Sequence, residues 1–150
     1  MNQVKNLPWI AIRDIGFIAR KAVASKKPPE ELMLEVEAPA EYVKDCLMGE
    51  HFREGWFLSY HYHGEDYNLC RAEGEDADGD NKQLHIRIFD KGGDKCVIAA
   101  HKELCPINHP RRHLNGDKYS VEDGIKHTEE LLAHFSVSHG KVERIEEGAT

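Results

Sequence analysis

The sequence predicts an α+β fold, in which a four-stranded antiparallel meander sheet packs against an N-terminal and a C-terminal helix. Three observations carry that expectation. Apolar residues recur at three- and four-residue steps near both ends of the chain. Between Trp56 and Ala100 the period changes to two, and short runs rich in glycine and aspartate interrupt the alternating segments. Helices outside and strands inside is the pattern of a sheet backed by helices rather than of alternating βαβ units.

The 150 residues, at 17.1 kDa, suit one domain spanning 1–150 with a core of its own. Its first part is a helical region, residues 1–50. Pro8 is placed to open a helix, and Trp9, Ile12, Gly16, Ala19 and Val23 then share a face that Ile15, Ile18 and Ala22 widen. Lys26-Lys-Pro-Pro29 ends that helix, Leu32 to Val36 reads as a short strand, and Ala40 to Met48 as a brief helix closed by Gly49. The sheet then begins. Trp56 to Tyr62 is its first strand, Tyr67 to Ala72 the second, Gln83 to Phe89 the third and Lys95 to Ala100 the fourth, with turns at Gly64-Glu-Asp and Asp90-Lys-Gly-Gly93. Ser120 with Asp123 is a capping signature for a helix over about 121 to 135, and the polar tail of 136–150 is expected to fray.

A net charge of −7 and a pI near 5.8 argue against general coating of nucleic acid. Arg13, Asp14, Arg20 and Lys21 interrupt the apolar N-terminal stretch too early for a signal peptide or a membrane span, so a cytoplasmic protein with no membrane partner is expected. Cys46, Cys70, Cys96 and Cys105 contain no CxxC pair and read as free or metal-bound thiols.

Chemistry concentrates in His101-Lys-Glu-Leu-Cys-Pro-Ile-Asn-His-Pro-Arg-Arg-His113. His101, Cys105, His109 and His113 recur every fourth residue, but Pro106 and Pro110 forbid a continuous helix, so a structured loop is expected. Lys102, Arg111, Arg112 and Lys118 against Glu103 and Asp117 leave residues 101–118 at +2 within an acidic chain, which suggests an anionic ligand such as phosphate. The third strand should turn Leu84, Ile86 and Ile88 inward and carry His85 and Arg87 on its other face, the face to which His61 and His63 would also belong.

Two imidazoles near a phosphodiester can act as base toward a ribose hydroxyl and as acid toward the leaving oxygen. Metal-independent RNA cleavage therefore suits this inventory. His109 and His113 are the candidate catalytic pair and Arg112 their electrostatic partner. His61, His63, His85, Arg87, His101, Lys102 and Arg111 are candidates for holding the substrate. Two other readings stay open. One is a zinc site through Cys105, His109 and His113 with His101 or Cys96, whose spacing matches no standard motif. The other is a non-enzymatic interaction module, whose Trp9 to Val23 face docks a partner or a second copy of the chain. Asp76-Ala-Asp78-Gly-Asp80 resembles the start of a calcium loop, but Asn81 stands where the turn glycine belongs and Arg87 where the bidentate glutamate belongs, so a solvated hairpin loop is expected.

The order of these features resembles the TumE-type toxin family of two-gene toxin–antitoxin modules. The resemblance is carried by Phe89-Asp90 before a glycine turn, His109-Pro-Arg-Arg-His113, Leu114-Asn-Gly116, Tyr119, and a closing helix with Leu131-Leu132 and Phe135. It covers about residues 56 to 135. Lys91 departs from the asparagine usual in the family, and the region before Glu50 is longer than expected. The resemblance implies a growth-inhibiting toxin that acts on RNA, plausible as a ribonuclease, is neutralised by a protein antitoxin, and uses His109, Arg112 and His113.

Overall fold

A computed structural model describes residues 32–55 and 64–143. The expected helix over Trp9 to Val23, the expected strand over Trp56 to Tyr62, and His61 and His63 lie outside the described residues.

The fold is α+β with an antiparallel sheet, as the alternating periods require, but the sheet has six strands rather than four. In chain order the elements are β1 (Leu32–Val36), α1 (Ala40–Gly49), β2 (Arg53–Glu54), β3 (Tyr67–Glu75), β4 (Asn81–Asp90), β5 (Cys96–Leu104), α2 (Pro110–Asn115), α3 (Val121–His134) and β6 (His139–Glu143). The sheet order is β2-β3-β4-β5-β1-β6. The β3-β4-β5 meander is the expected one. Beside it, β1 pairs with β5 and β6 pairs with β1.

Two corrections follow from pairing that no single segment announces. The expected frayed tail contains β6, because its backbone satisfies the outer edge of β1, with Leu34 opposite Lys141 and Val36 opposite His139. The expected loop after Ala100 begins instead as strand. β5 runs on to Leu104, with His101 opposite His85 and Glu103 opposite Gln83.

Leu84, Ile86 and Ile88 of β4 meet Ile98 and Ala100 of β5, Leu34 and Val36 of β1, Val43 and Leu47 of α1, and Ile125 and Leu132 of α3 in one core. Both longer helices therefore cover the same sheet face. Ser120 Oγ accepts from the Asp123 N–H at 3.1 Å, which is the expected cap of α3. The helix lies unusually close to β5 at Gly124, where a Cβ would stand 2.3 Å from the Cα of His101. Among the described residues no helix is long and apolar enough to cross a membrane.

Candidate functional site: a buried histidine–carboxylate cluster

The face opposite the helices carries Asn68 and Cys70 of β3, Gln83, His85 and Arg87 of β4, and His101 and Glu103 of β5. These side chains are buried, and the residues after β5 explain part of that. Cys105 closes the strand by giving its N–H to Asn81 O, Pro110 starts α2, where its missing donor costs nothing, and Gly116 ends α2 at φ 77°. Ser120 then returns to β5, exchanging both backbone hydrogen bonds with Lys102 at 2.9 Å. Residues 105–119 thus form a flap whose two ends are tied to β4 and β5. Tyr119 lies 4.5 Å from the His101 ring, centroid to centroid, and His113 Nδ1 stands 3.5 Å from Glu103 Oε2.

Glu103 is the hub. Its Oε1 accepts from Gln83 Nε2 at 3.0 Å and lies 3.3 Å from His85 Nδ1, while Oε2 lies 3.2 Å from His101 Nε2. Side-chain exposure is 3% at His85, 2% at His101 and 3% at Glu103, so these contacts operate in a medium of low polarity. Burial, reinforced by the charge of Arg87, pushes the His85 imidazole down to about 3 and keeps it neutral at pH 7. Burial alone raises the Glu103 carboxyl, but the imidazoles of His101 and His85 outweigh it and hold the group well below the usual carboxylate range.

A chain of hydrogen bonds fixes the His85 ring. Asn68 donates from Nδ2 to Glu65 Oε1 at 2.8 Å, which turns Asn68 Oδ1 toward His85 Nε2 at 2.7 Å. That oxygen can only accept, so His85 donates from Nε2 and turns Nδ1 toward Glu103. His113 is fixed in the same manner, donating from Nδ1 to Leu104 O at 2.7 Å.

The other residues singled out in the sequence have different settings. Arg112 gives two parallel hydrogen bonds to Asp80, at 2.9 and 3.0 Å, and its Nε reaches Asp117 at 3.4 Å. His109 Nε2 accepts from the Asn81 N–H at 3.2 Å, which ties the flap to the start of β4. Arg87 is buried 3.5 Å from Glu65. Lys102 belongs to the helix-bearing face, since successive residues of a strand alternate and it stands opposite Leu84. Arg111 is exposed on α2. Among the described residues, the group of three or more metal-ligating side chains whose donor atoms lie within 4.8 Å of one another is His85, His101 and Glu103. Cys105, His109 and His113 form no such group, and all four cysteines are free.

Asp76, Asp78 and Asp80 are the expected hairpin turn, and a side chain of the same protein fills it. Lys118 Nζ lies 2.8 Å from Asp76 Oδ2, 2.7 Å from Asp78 Oδ2 and 2.8 Å from Asp80 Oδ2. An ammonium thus stands among the carboxylates and latches the flap to the β3–β4 hairpin.

Sequence reasoning missed Glu103, counting it only as a charge that offset Lys102. The available signal was the period of two carried past Ala100, which puts His101 and Glu103 on one face and Lys102 and Leu104 on the other. No protein-family model, curated protein or solved structure matches the chain.

Proposed function

We propose that the cluster around Glu103 is the working centre of the protein, and that the protein is a toxin-like nuclease directed at RNA. The observation that carries this reading is the convergence of three imidazoles, His85, His101 and His113, on one buried carboxylate. Clusters of ionisable groups with displaced proton affinities are candidate sites of chemistry. His113 belongs to the segment that bears the resemblance to TumE-type toxins, so the resemblance and the geometry bear on one place.

In this reading His113 is the group that moves a proton. With Nδ1–H committed to Leu104 O, its Nε2 keeps the lone pair that can take the proton of a ribose hydroxyl. Glu103 holds the imidazole and balances the charge it acquires. His109 and Arg112 act through the flap by anchoring it, and Arg111 lies on the exposed side of α2 where a phosphate chain can reach it. The centre is buried, so a phosphodiester reaches it only when the flap lifts. Ile107 and Leu114, 72% and 47% exposed, are flap side chains that a protein antitoxin can cover.

The test is cleavage of a mixed RNA substrate by the full chain beside His113→Ala and Glu103→Gln, with circular dichroism to verify the fold. Cleavage by the parent that falls at least about 100-fold in each folded variant supports the reading, in line with the weight of a general acid or base. An inactive parent, or variants as active as the parent, would overturn it.

A further inference from the structure

We infer that His85, His101 and Glu103 form a site for a divalent first-row transition ion of the zinc class. The ligand assignment does not depend on RNA being the substrate, since it follows from donor type, spacing and orientation alone.

The first argument is orientation. The Glu65–Asn68–His85 chain turns His85 Nε2 toward Asn68 Oδ1, so that Nδ1 points at the carboxylate, 3.3 Å from Glu103 Oε1.

The second argument is distance. Donors held about 2.1 Å from a tetrahedral ion stand about 3.4 Å from each other. His85 Nδ1 lies 3.3 Å from Glu103 Oε1 and His101 Nε2 lies 3.2 Å from Glu103 Oε2, so each imidazole meets its own carboxylate oxygen, and one donor atom from each of the three residues falls inside 4.8 Å. Cross-strand pairing supplies this geometry without any special loop. His85 and His101 are register partners, and Glu103 is two residues along on the same face.

The third argument is the surrounding shell. A metal-bound histidine usually donates its other ring N–H to a carbonyl or carboxylate that fixes the tautomer. His85 does so through Asn68 Oδ1, itself fixed by Glu65. Two imidazoles with a single carboxylate favour zinc, cobalt or ferrous iron over magnesium and calcium, which take oxygen donors. With such an ion bound, His85, His101 and Glu103 serve as ligands, and His113 is the imidazole left for proton transfer.

The probe is Co(II), whose visible d–d absorption reports coordination, titrated into chelator-stripped full-length protein and followed by displacement with zinc. One Co(II) per chain is expected, displaced by zinc and not by magnesium. Glu103→Gln and His85→Ala should weaken binding more than about 100-fold, and Asn68→Ala by about 10- to 100-fold, the effect of losing an outer-shell partner. Failure of the parent to take up Co(II) overturns the assignment, and because it needs no variant it is independent of any folding defect. Binding that persists in folded Glu103→Gln, or is lost instead in Cys105→Ala, overturns it as well. RNA cleavage enters none of these readouts, so failure of the nuclease reading and failure of the metal site remain distinguishable.

Discussion

Asp80 shows how much of the site rests on a single residue outside it. Its carboxylate takes the Arg112 guanidinium in a two-point pair and shares the Lys118 ammonium with Asp76 and Asp78. Arg112, and then Lys118, hold the Asp80 carboxyl far below the usual carboxylate range. A carboxyl depressed in the folded state adds stability above its unfolded value near about 4 and loses it as pH falls through the folded value. Asp80→Asn is therefore expected to melt below the parent at pH 7, with the gap closing in strong acid. Thermal melts from pH 7 down to about 2 check this, and parallel curves at all pH values would count against it.

A second residue matters through space alone. Gly124 lets α3 rest on the backbone of His101, and a methyl group there would meet the His101 Cα at 2.3 Å. Gly124→Ala is expected to destabilise the fold by about 3 kcal/mol, the upper range for overpacking, despite the better helix propensity of alanine. Urea denaturation measures it. Thiol chemistry should divide in the same residue-by-residue way. Burial raises Cys70 to about 12 and Cys96 to about 11, leaving both as unreactive thiols, whereas Cys46 is partly exposed. Mass spectrometry after brief alkylation of the native protein should find Cys46 modified first.

At the scale of elements, the flap is held differently from the strands it covers. Its ends are fixed by backbone hydrogen bonds, Cys105 to Asn81 of β4 and Ser120 to Lys102 of β5, whereas its body is held by ion pairs at Lys118 and Arg112 that solvent reaches. Pairs of this kind weaken with salt, while the apolar core does not. Hydrogen exchange at the amides of residues 109–119 is expected to speed up with added salt and in Lys118→Met, with little change in β4 or β5. Equal responses in the flap and the strands would mean that no separate opening occurs.

The elements also show what was readable in the sequence. Leu84, Ile86 and Ile88 against His85 and Arg87 gave the two faces of β4 directly, because burial on one side imposes a period of two. Ser120 and Asp123 gave the start of α3 from local chemistry alone. β6 was not readable, since His139-Gly-Lys-Val-Glu143 is polar and acquires its strand form from the edge of β1. The site was half readable. His85, His101 and His113 were singled out for their imidazoles, but ending the fourth strand at Ala100 placed Glu103 in a loop and hid the face it shares with His101. Part of the burial of the polar face comes from the flap, whose anchors at Asp80 and Asn81 lie far from it in sequence.

For the whole molecule, the arrangement separates stability from chemistry. One sheet face meets α1 and α3 through aliphatic side chains, and the other carries a polar network that would be costly to bury without partners. The network's position depends on the register of β4 against β5, and that register is enforced by the apolar face behind it. The outer strands contribute to the frame rather than to the cluster. A chain ending at Ser138, without β6, should lose a few kcal/mol, at about 1 kcal/mol per ladder hydrogen bond, and still bind a metal ion.

The most direct test of the central claim is anomalous diffraction at the zinc edge from crystals of the full chain grown with zinc. The account predicts a peak bounded by His85 Nδ1, His101 Nε2 and Glu103, with ligand distances of about 2.0–2.2 Å. Zinc seated on Cys105 and His109, or a fully formed cluster that excludes zinc, would contradict it.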